Sequence, residues 1–189
     1  MSSQAEEKFS SFFLIKHPVS VNLLPASDAE ANYSQHEFEQ QMPYAFKISA
    51  EMSEIESQAL KPLRGLGDKL KELVDYLQLQ AQKIDLMMSY ILLTQDQAEY
   101  RFEATKFGGG GLIVAHEQAV AIGSARIIKI FLESEAAAVY CFGQAIKCEQ
   151  VNDHFEVSYV YTHIREADQE LLVRASLHLQ TAQLRKRDQ

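Results

Sequence analysis

A three-four repeat of apolar residues constrains this 189-residue chain more than any other feature. It runs Leu63, Leu66, Leu70, Leu73, Leu77, Gln80, Ile84, Met87 and Ile91, with spacings that alternate strictly between three and four. A helix so spaced lays these groups along one seam, and a seven-residue repeat keeps that seam facing a second helix. Gly65 and Gly67 weaken its start and Pro62 suits a first turn, so the firm helix is predicted over 68–93. Gln80 interrupts the apolar seam. A polar group there fixes register or oligomer number at some cost in stability. Leu79, Met88 and Leu92 lie beside the seam and widen it, so a single amphipathic helix packed on its own domain is the competing reading. The length of the repeat favours self-association, as a dimer or a tetramer. Upstream, Ser53 and Glu56 match a capping box.

After Gln95 the apolar period shifts to that of strands, predicted at 100–106, 111–115, 126–132, 139–150 and 155–164. Turn residues separate them: Gly108 to Gly111, Ile122-Gly123-Ser124, Ser134 to Ala137 and Val151-Asn152-Asp153. Short strands at this spacing with no helix between them predict an antiparallel barrel, and Gly143 marks a bulge or corner in it. A last helix follows over 166–186, with Leu171, Leu172, Ala175, Leu179 and Ala182 as its apolar stripe. The front of the chain is less legible. Phe12 to Leu24 alternates around His17-Pro18 and reads as a strand or an extended arm, and Ala26 to Glu39 reads as a polar linker. The resulting division is an N-terminal arm at 1–48, a long helical segment at 49–94 and a barrel with its closing helix at 95–189. The fold class is α+β.

Net charge is -8 with a pI near 5.2, which argues against bulk attraction to a nucleic-acid polymer or an anionic membrane. No apolar run is long enough to span a bilayer. The apolar run at 12–15 follows Glu6, Glu7 and Lys8 and ends at Lys16, too early for a secretory signal, so a cytoplasmic location is expected. Cys141 and Cys148 lie seven apart in one predicted strand, on opposite faces unless a bulge intervenes, and read as free thiols.

The four consecutive glycines, Gly108 to Gly111, offer a tight turn with bare backbone, which a phosphate-rich ligand or an ordinary hairpin can use. They lack the Gly-Lys-Ser/Thr of a P-loop and open no helix. No Gly-x-Ser-x-Gly elbow occurs, and no histidine or cysteine pair has metal-ligand spacing. No reaction class suggests itself, no metal is expected, and the chain reads as a non-enzyme. Phe107, at the turn, reads either as a partner contact or as packing onto the long helix.

The order of these parts resembles the PilZ family over about 95–187. The turn Lys106 to Leu112 occupies the place of that family's Asp-x-Ser-x-x-Gly motif. Gly123 to Leu132 fits its next strand, and Val157-Ser158-Tyr159-Val160-Tyr161 its last. Ile164 to Leu172, followed by Gln180 and the basic end, resembles its C-terminal helix, and Asp68 to Leu93 resembles the helical extension of atypical members. The resemblance implies a PilZ-like antiparallel β-barrel with a C-terminal helix, and cyclic di-GMP as the candidate ligand. By the same resemblance the ligand positions are Arg101, Ala104, Lys106, Gly108 and Gly109. These are a degenerate set. Ala104 stands at the Asp position and Lys106 at the Ser position, while Gly109 alone keeps the pattern. Arginines occur at 64, 101, 126, 165, 174, 185 and 187, no two of them four apart, so the family's Arg-x-x-x-Arg clamp is missing. Arg101 and Lys106, the nearby cations, fall on opposite faces by strict alternation.

Each charge-assisted hydrogen bond to phosphate is worth about 1.5–3 kcal/mol. Losing two arginines and a carboxylate therefore weakens binding by about three decades or more, at about 1.4 kcal/mol per decade. The expectation is an adaptor or regulator in cyclic di-GMP-linked signalling, with direct binding weak or lost and a protein partner. Two rivals stand beside it. One is a true receptor whose clamp comes from elsewhere, such as Lys61 and Arg64 or a neighbouring subunit. The other is a coiled-coil scaffold with a ligand-free barrel.

Overall fold

The computed structural model describes residues 9, 12–49, 51–52, 55 and 71–187. Six strands close an antiparallel barrel: β1 (Leu14–Pro25), β2 (Arg101–Gly108), β3 (Gly111–His116), β4 (Ala125–Leu132), β5 (Ala137–Val151) and β6 (His154–His163). Their order around the barrel is β1-β2-β3-β6-β5-β4, with β4 returning to β1. Helices α1 (Asp28–Ala31), α2 (Gln35–Gln41), α3 (Lys71–Leu93) and α4 (Glu166–Arg187) surround it, and residues 44–49 are also helical. The five predicted strands and the closing helix all occur, with ends shifted by one or two residues.

The sixth strand comes from the segment assigned to the N-terminal arm. β1 lies between β2 and β4, pairing Val21 with Phe102 on one side and with Ile130 on the other. The boundary at residue 48 therefore does not divide the fold, because the barrel at 95–189 is closed by residues 14–25. Ile15, Val19, Val21 and Leu23 are buried in the core that β2–β6 also line. The register between β1 and β2 shifts at His17-Pro18. Proline cannot donate to the ladder, so a bulge is where this strand can carry it.

The linker reading of 26–39 also gives way to structure. Ser27 accepts from the Glu30 N–H while Glu30 accepts from the Ser27 N–H, and Ser34 with Glu37 repeats the arrangement. These reciprocal caps start α1 and α2 despite their polar composition. The outer face of β4 and β5 is thereby covered. Phe38, Met42 and Phe46 meet Ala138, Tyr140 and Phe142 there, together with Met88 and Leu92 from the end of α3. Phe38 lies 5.1 Å from Phe142, edge-on, and 5.9 Å from Tyr140, stacked. Residues 137–143 of β5 are consequently buried without interruption, one face toward the barrel interior and the other beneath helices.

Ladder irregularities on β5 and β6 settle the cysteine geometry. The register with β6 shifts at Phe142/Gly143 and again at Ala145/Lys147. The second shift adds Ile146 to β5 and reverses its alternation, so Cys141 and Cys148 both contact the barrel core, and both are free thiols. Of the predicted seam, Leu63, Leu66 and Leu70 lie outside the described residues, as do Ser53, Glu56, Lys61 and Arg64.

Candidate functional site

The glycine turn joins β2 to β3, and all four glycines are buried. A β-carbon on Gly108 would stand 2.1 Å from the Phe13 carbonyl oxygen, and one on Gly111 2.1 Å from that of Tyr159. Glycine is required at both because neighbouring backbone occupies the side-chain space. At Gly109 the same position would meet Val173 of α4 and the ring of Phe12. The turn's carbonyls are engaged as well. Gln169 Nε2 donates to Gly109 O at 2.8 Å, and Tyr161 N donates to Gly110 O at 3.1 Å. The turn is thus covered by the chain's own N-terminal aromatics and by α4, which corrects the expectation of bare backbone.

The five ligand positions taken from the resemblance do not converge. Ala104 is fully buried in the barrel core. Arg101 stands at the opposite end of β2 from Gly108, and seven strand rises put them about 23 Å apart. Its guanidinium is bound to Asp96, whose carboxylate also accepts from Asn22 Nδ2 at 2.8 Å. The Arg101 hydrogen bond is the main reason the Asp96 carboxyl titrates below its ordinary range. Around this pair, Gln97 N donates to Asn22 Oδ1 at 2.8 Å. Lys129 Nζ donates to Gln95 O at 3.0 Å and to Gln97 Oε1 at 3.1 Å. Burial lowers the Lys129 pKa. The group ties the segment after α3 to β1, β2 and β4, so Arg101 is committed to holding the long helix in place.

Lys106 sits differently from the sequence expectation. The β2 register slips between Ala104 and Lys106, so Phe102, Ala104 and Phe107 all contact the core. Counting outward from those three puts Arg101 and Lys106 on the same outer side, not on opposite faces. Across the ladder the register partner of Lys106 is Lys16. Like charges directly opposite one another are unfavourable, and an anion would relieve them. Sequence reasoning missed this pairing because Lys16 belongs to the strand it left unplaced. Phe107 is fully buried in the barrel core, so it is neither a partner contact nor packed on α3.

A cavity of about 650 Å³ opens between the β1 bulge, the end of β4 and α4, lined among others by His17, Ser20, Arg101, Glu103, Phe131 and Glu133. With Arg101 neutralised by Asp96, its remaining full charges are acidic, a poor setting for a phosphodiester. Among the described residues no group of histidines, cysteines and carboxylates could hold a metal, and no helix is long and apolar enough to cross a membrane.

The other candidate surface is α3. Met88 and Leu92, in its last two turns, are buried against the barrel. The seam residues Leu73, Leu77, Ile84, Met87 and Ile91 are exposed by 41% to 67%, and Gln80 is half-buried. Among the described residues, the competing reading, in which the stripe packs on its own domain, holds for Met88 and Leu92, while Leu79, named with them, is 57% exposed.

No protein-family model matches the chain, and no curated protein matches it. Solved structures do. One is a tetrameric PilZ-domain protein from Xanthomonas campestris, described as self-assembled through an unusual helical bundle. It is 12% identical with a TM-score of 0.58, over 97% of this chain and 99% of its own. Another is the inhibitor of motility MotI/DgrA of Bacillus subtilis, 16% identical with a TM-score of 0.41, over 43% of this chain and 42% of its own. The closed six-stranded barrel with its C-terminal helix is the PilZ fold.

Proposed function

We propose that this PilZ-fold chain is a non-enzymatic, cytoplasmic signalling adaptor. It assembles through α3 and acts in a cyclic di-GMP-linked pathway while binding that nucleotide weakly or not at all. The observation that carries the reading is the filled turn: Phe12, Phe13, Val173 and Gln169 occupy the ground around Gly108 to Gly111. A ligand there would have to displace the chain's own packing without the missing arginine pair or the missing carboxylate to reward it. The exposed seam of α3 supports self-association, and the Xanthomonas protein, tetrameric through a helical bundle, supports it by analogy. An assembly of this kind presents several copies of one barrel surface to a protein partner.

Calorimetric titration with cyclic di-GMP at moderate salt tests the reading. No heat and no thermal stabilisation are expected even with millimolar ligand. Saturable binding at micromolar ligand would replace the adaptor with a receptor.

One observation favours that receptor as the second reading: Lys16 and Lys106 face each other across the β1–β2 ladder and could grip a phosphate. If binding is seen, Lys16→Ala with Lys106→Ala abolishes it in a receptor that uses this pair. Arg101→Ala then weakens binding only by loosening α3.

A further inference from the structure

The cavity between the β1 bulge, the end of β4 and α4 does not stand alone. A second, of about 600 Å³, lies against it under the end of α3, and the two share Ser20, Arg101, Phe131, Leu132 and Glu133 as a common wall. A third, of about 500 Å³, continues along α3 past Ser89 and Asp85 to Leu86. Glu133 lines all three, which adjoin as one groove running from Leu179 of α4 past the end of β4 to α3. Its floor is apolar: Phe102, Phe131, Leu132, Leu92 and Leu179. Its charges are of one sign. Asp85, Glu103, Glu133 and Glu135 line it, and its one arginine, Arg101, is bound to Asp96. Glu135 has His178 at 3.2 Å, while Glu103 and Glu133 are exposed. At the middle of the groove stands a single 3₁₀ turn, Glu133–Glu135, closed by Ala136 in the left-handed conformation at φ 47°. An alanine is held there against its own preference, in the turn that carries two of the four carboxylates.

We infer that this groove docks a segment of the partner protein, and that the segment is basic and amphipathic, with lysines or arginines flanking large apolar residues. The inference deepens the adaptor reading and rests on it for the existence of a protein partner. Charge complementarity supplies the argument for the cations. Four carboxylates beside an apolar floor add their fields, and no lining lysine and no uncommitted lining arginine offsets them. The floor supplies the argument for the apolar residues. Each cavity has room for a large side chain, which buries its surface at the centre while the flanking cations stay at the wet rim. Length favours a stretch of chain over a compact cation. The groove touches α4, β1, β4 and α3, and Leu86 to Leu93 alone covers about 10 Å of α3. A small ligand fills one such cavity and leaves the others to water.

Short random peptides displayed on phage, selected against the immobilised full chain, test this. Each enriched peptide is then made synthetically, labelled, and measured by fluorescence anisotropy on three proteins. These are wild type, Glu103→Lys with Glu133→Lys in the groove, and Glu117→Lys with Asp153→Lys as a charge-matched change outside it. All four positions are exposed, and circular dichroism checks that each variant keeps its fold. Enriched peptides are expected to carry lysine or arginine around large apolar residues. They are expected to bind the groove variant about tenfold or more weakly, and the control variant as they bind wild type. Peptides without that pattern, an equal loss on both variants, or no enrichment at all overturns the groove and leaves the adaptor reading standing, with its partner docked elsewhere. Excess spermine is expected not to displace the peptides; full displacement overturns the inference by assigning the groove to compact polycations. A fall in sedimentation mass of the groove variant alone overturns it by assigning the groove to another copy of the chain. Micromolar binding in the cyclic di-GMP titration removes the adaptor reading itself, and the inference with it, whatever the peptides do.

Discussion

At the residue scale the sharpest case is Gly111. Its missing β-carbon is where the Tyr159 carbonyl sits, in a ladder that the turn cannot leave without unpairing β3 from β6. Gly111→Ala is expected to cost about 2–3 kcal/mol, at the upper end of overpacking effects. Gly109→Ala should cost less, because it meets side chains that can shift. Urea midpoints of the two variants check this, and equal losses would mean that the turn relaxes as a unit. A second case is the pair at the start of α4. Asp168 is fully buried and takes both guanidinium bonds of Arg165, at 2.7 and 2.9 Å, while Arg165 Nη2 also donates to Phe46 O at 3.0 Å. Burial raises the Asp168 pKa above its ordinary value, with Arg165 opposing the rise. A carboxylate raised in the folded state favours folding below its unfolded pKa, and that contribution is lost as pH rises through the folded one. Arg165→Met removes the opposing cation and raises the folded pKa further. Its cost is therefore expected to be largest near neutrality, about 3–5 kcal/mol, and to shrink at pH 4, where Asp168 takes up a proton. An equal loss at both pH values would show that Asp168 is not the cause.

At the element scale, α2 decides how the long helix is seated. Phe38 is fully buried among Tyr140, Phe142 and Met42, in the cluster that also holds Met88 and Leu92. Phe38→Ala is expected to cost about 3–5 kcal/mol and to release the last two turns of α3 together with α2. Hydrogen exchange reads this directly: amides at 86–93 should exchange faster than wild type while β2, β3 and β6 stay protected. Uniform acceleration would mean that the helical layer is not a separate cooperative unit. The elements of this layer were the hard ones to see in the sequence. The strands of β2–β6 and α4 follow from local period and turn residues, so they could be located to within a residue or two. α1 and α2 are too short for a period to register, and their two Ser-x-x-Glu boxes, at 27–30 and 34–37, were the signal present in the sequence. β1 hid for two reasons. The bulge at His17-Pro18 breaks its alternation, and Val21, Asn22 and Leu23 are buried in succession, with Asn22 tied to Asp96 and Gln97. The site positions were less legible than the fold. A pattern along the chain cannot reveal that Phe12 and α4 fill the glycine turn, or that Lys16 faces Lys106.

At the scale of the whole molecule, the ends of the chain depend on each other. β1 pairs with β2, which begins 76 residues after β1 ends, and β4 relies on the same strand from its other side. A fragment of residues 95–189 keeps five strands and α4, but it exposes the inner edges of β2 and β4 and loses Ile15, Val19, Val21 and Leu23 from the core. Two open edges beside an unfilled apolar interior invite pairing between chains. The fragment is expected to aggregate or to unfold without cooperativity. A synthetic peptide of residues 12–25 added in trans is expected to restore a cooperative urea transition, because it returns both ladders and the four core side chains together. A fragment that unfolds cooperatively alone would show that five strands can close without β1. The outcome also bears on assembly. α3 lies between β1 and β2 in the chain, so closing the barrel brings both ends of the intervening segment to one side of the protomer. The clamp of Asn22, Asp96 and Lys129 then fixes the C-terminal end of α3 against the closed barrel. Barrel closure thereby sets the direction in which the helix presents its exposed seam, and the fragment, lacking β1 and α3 alike, is expected to lose ordered oligomers as well as its fold.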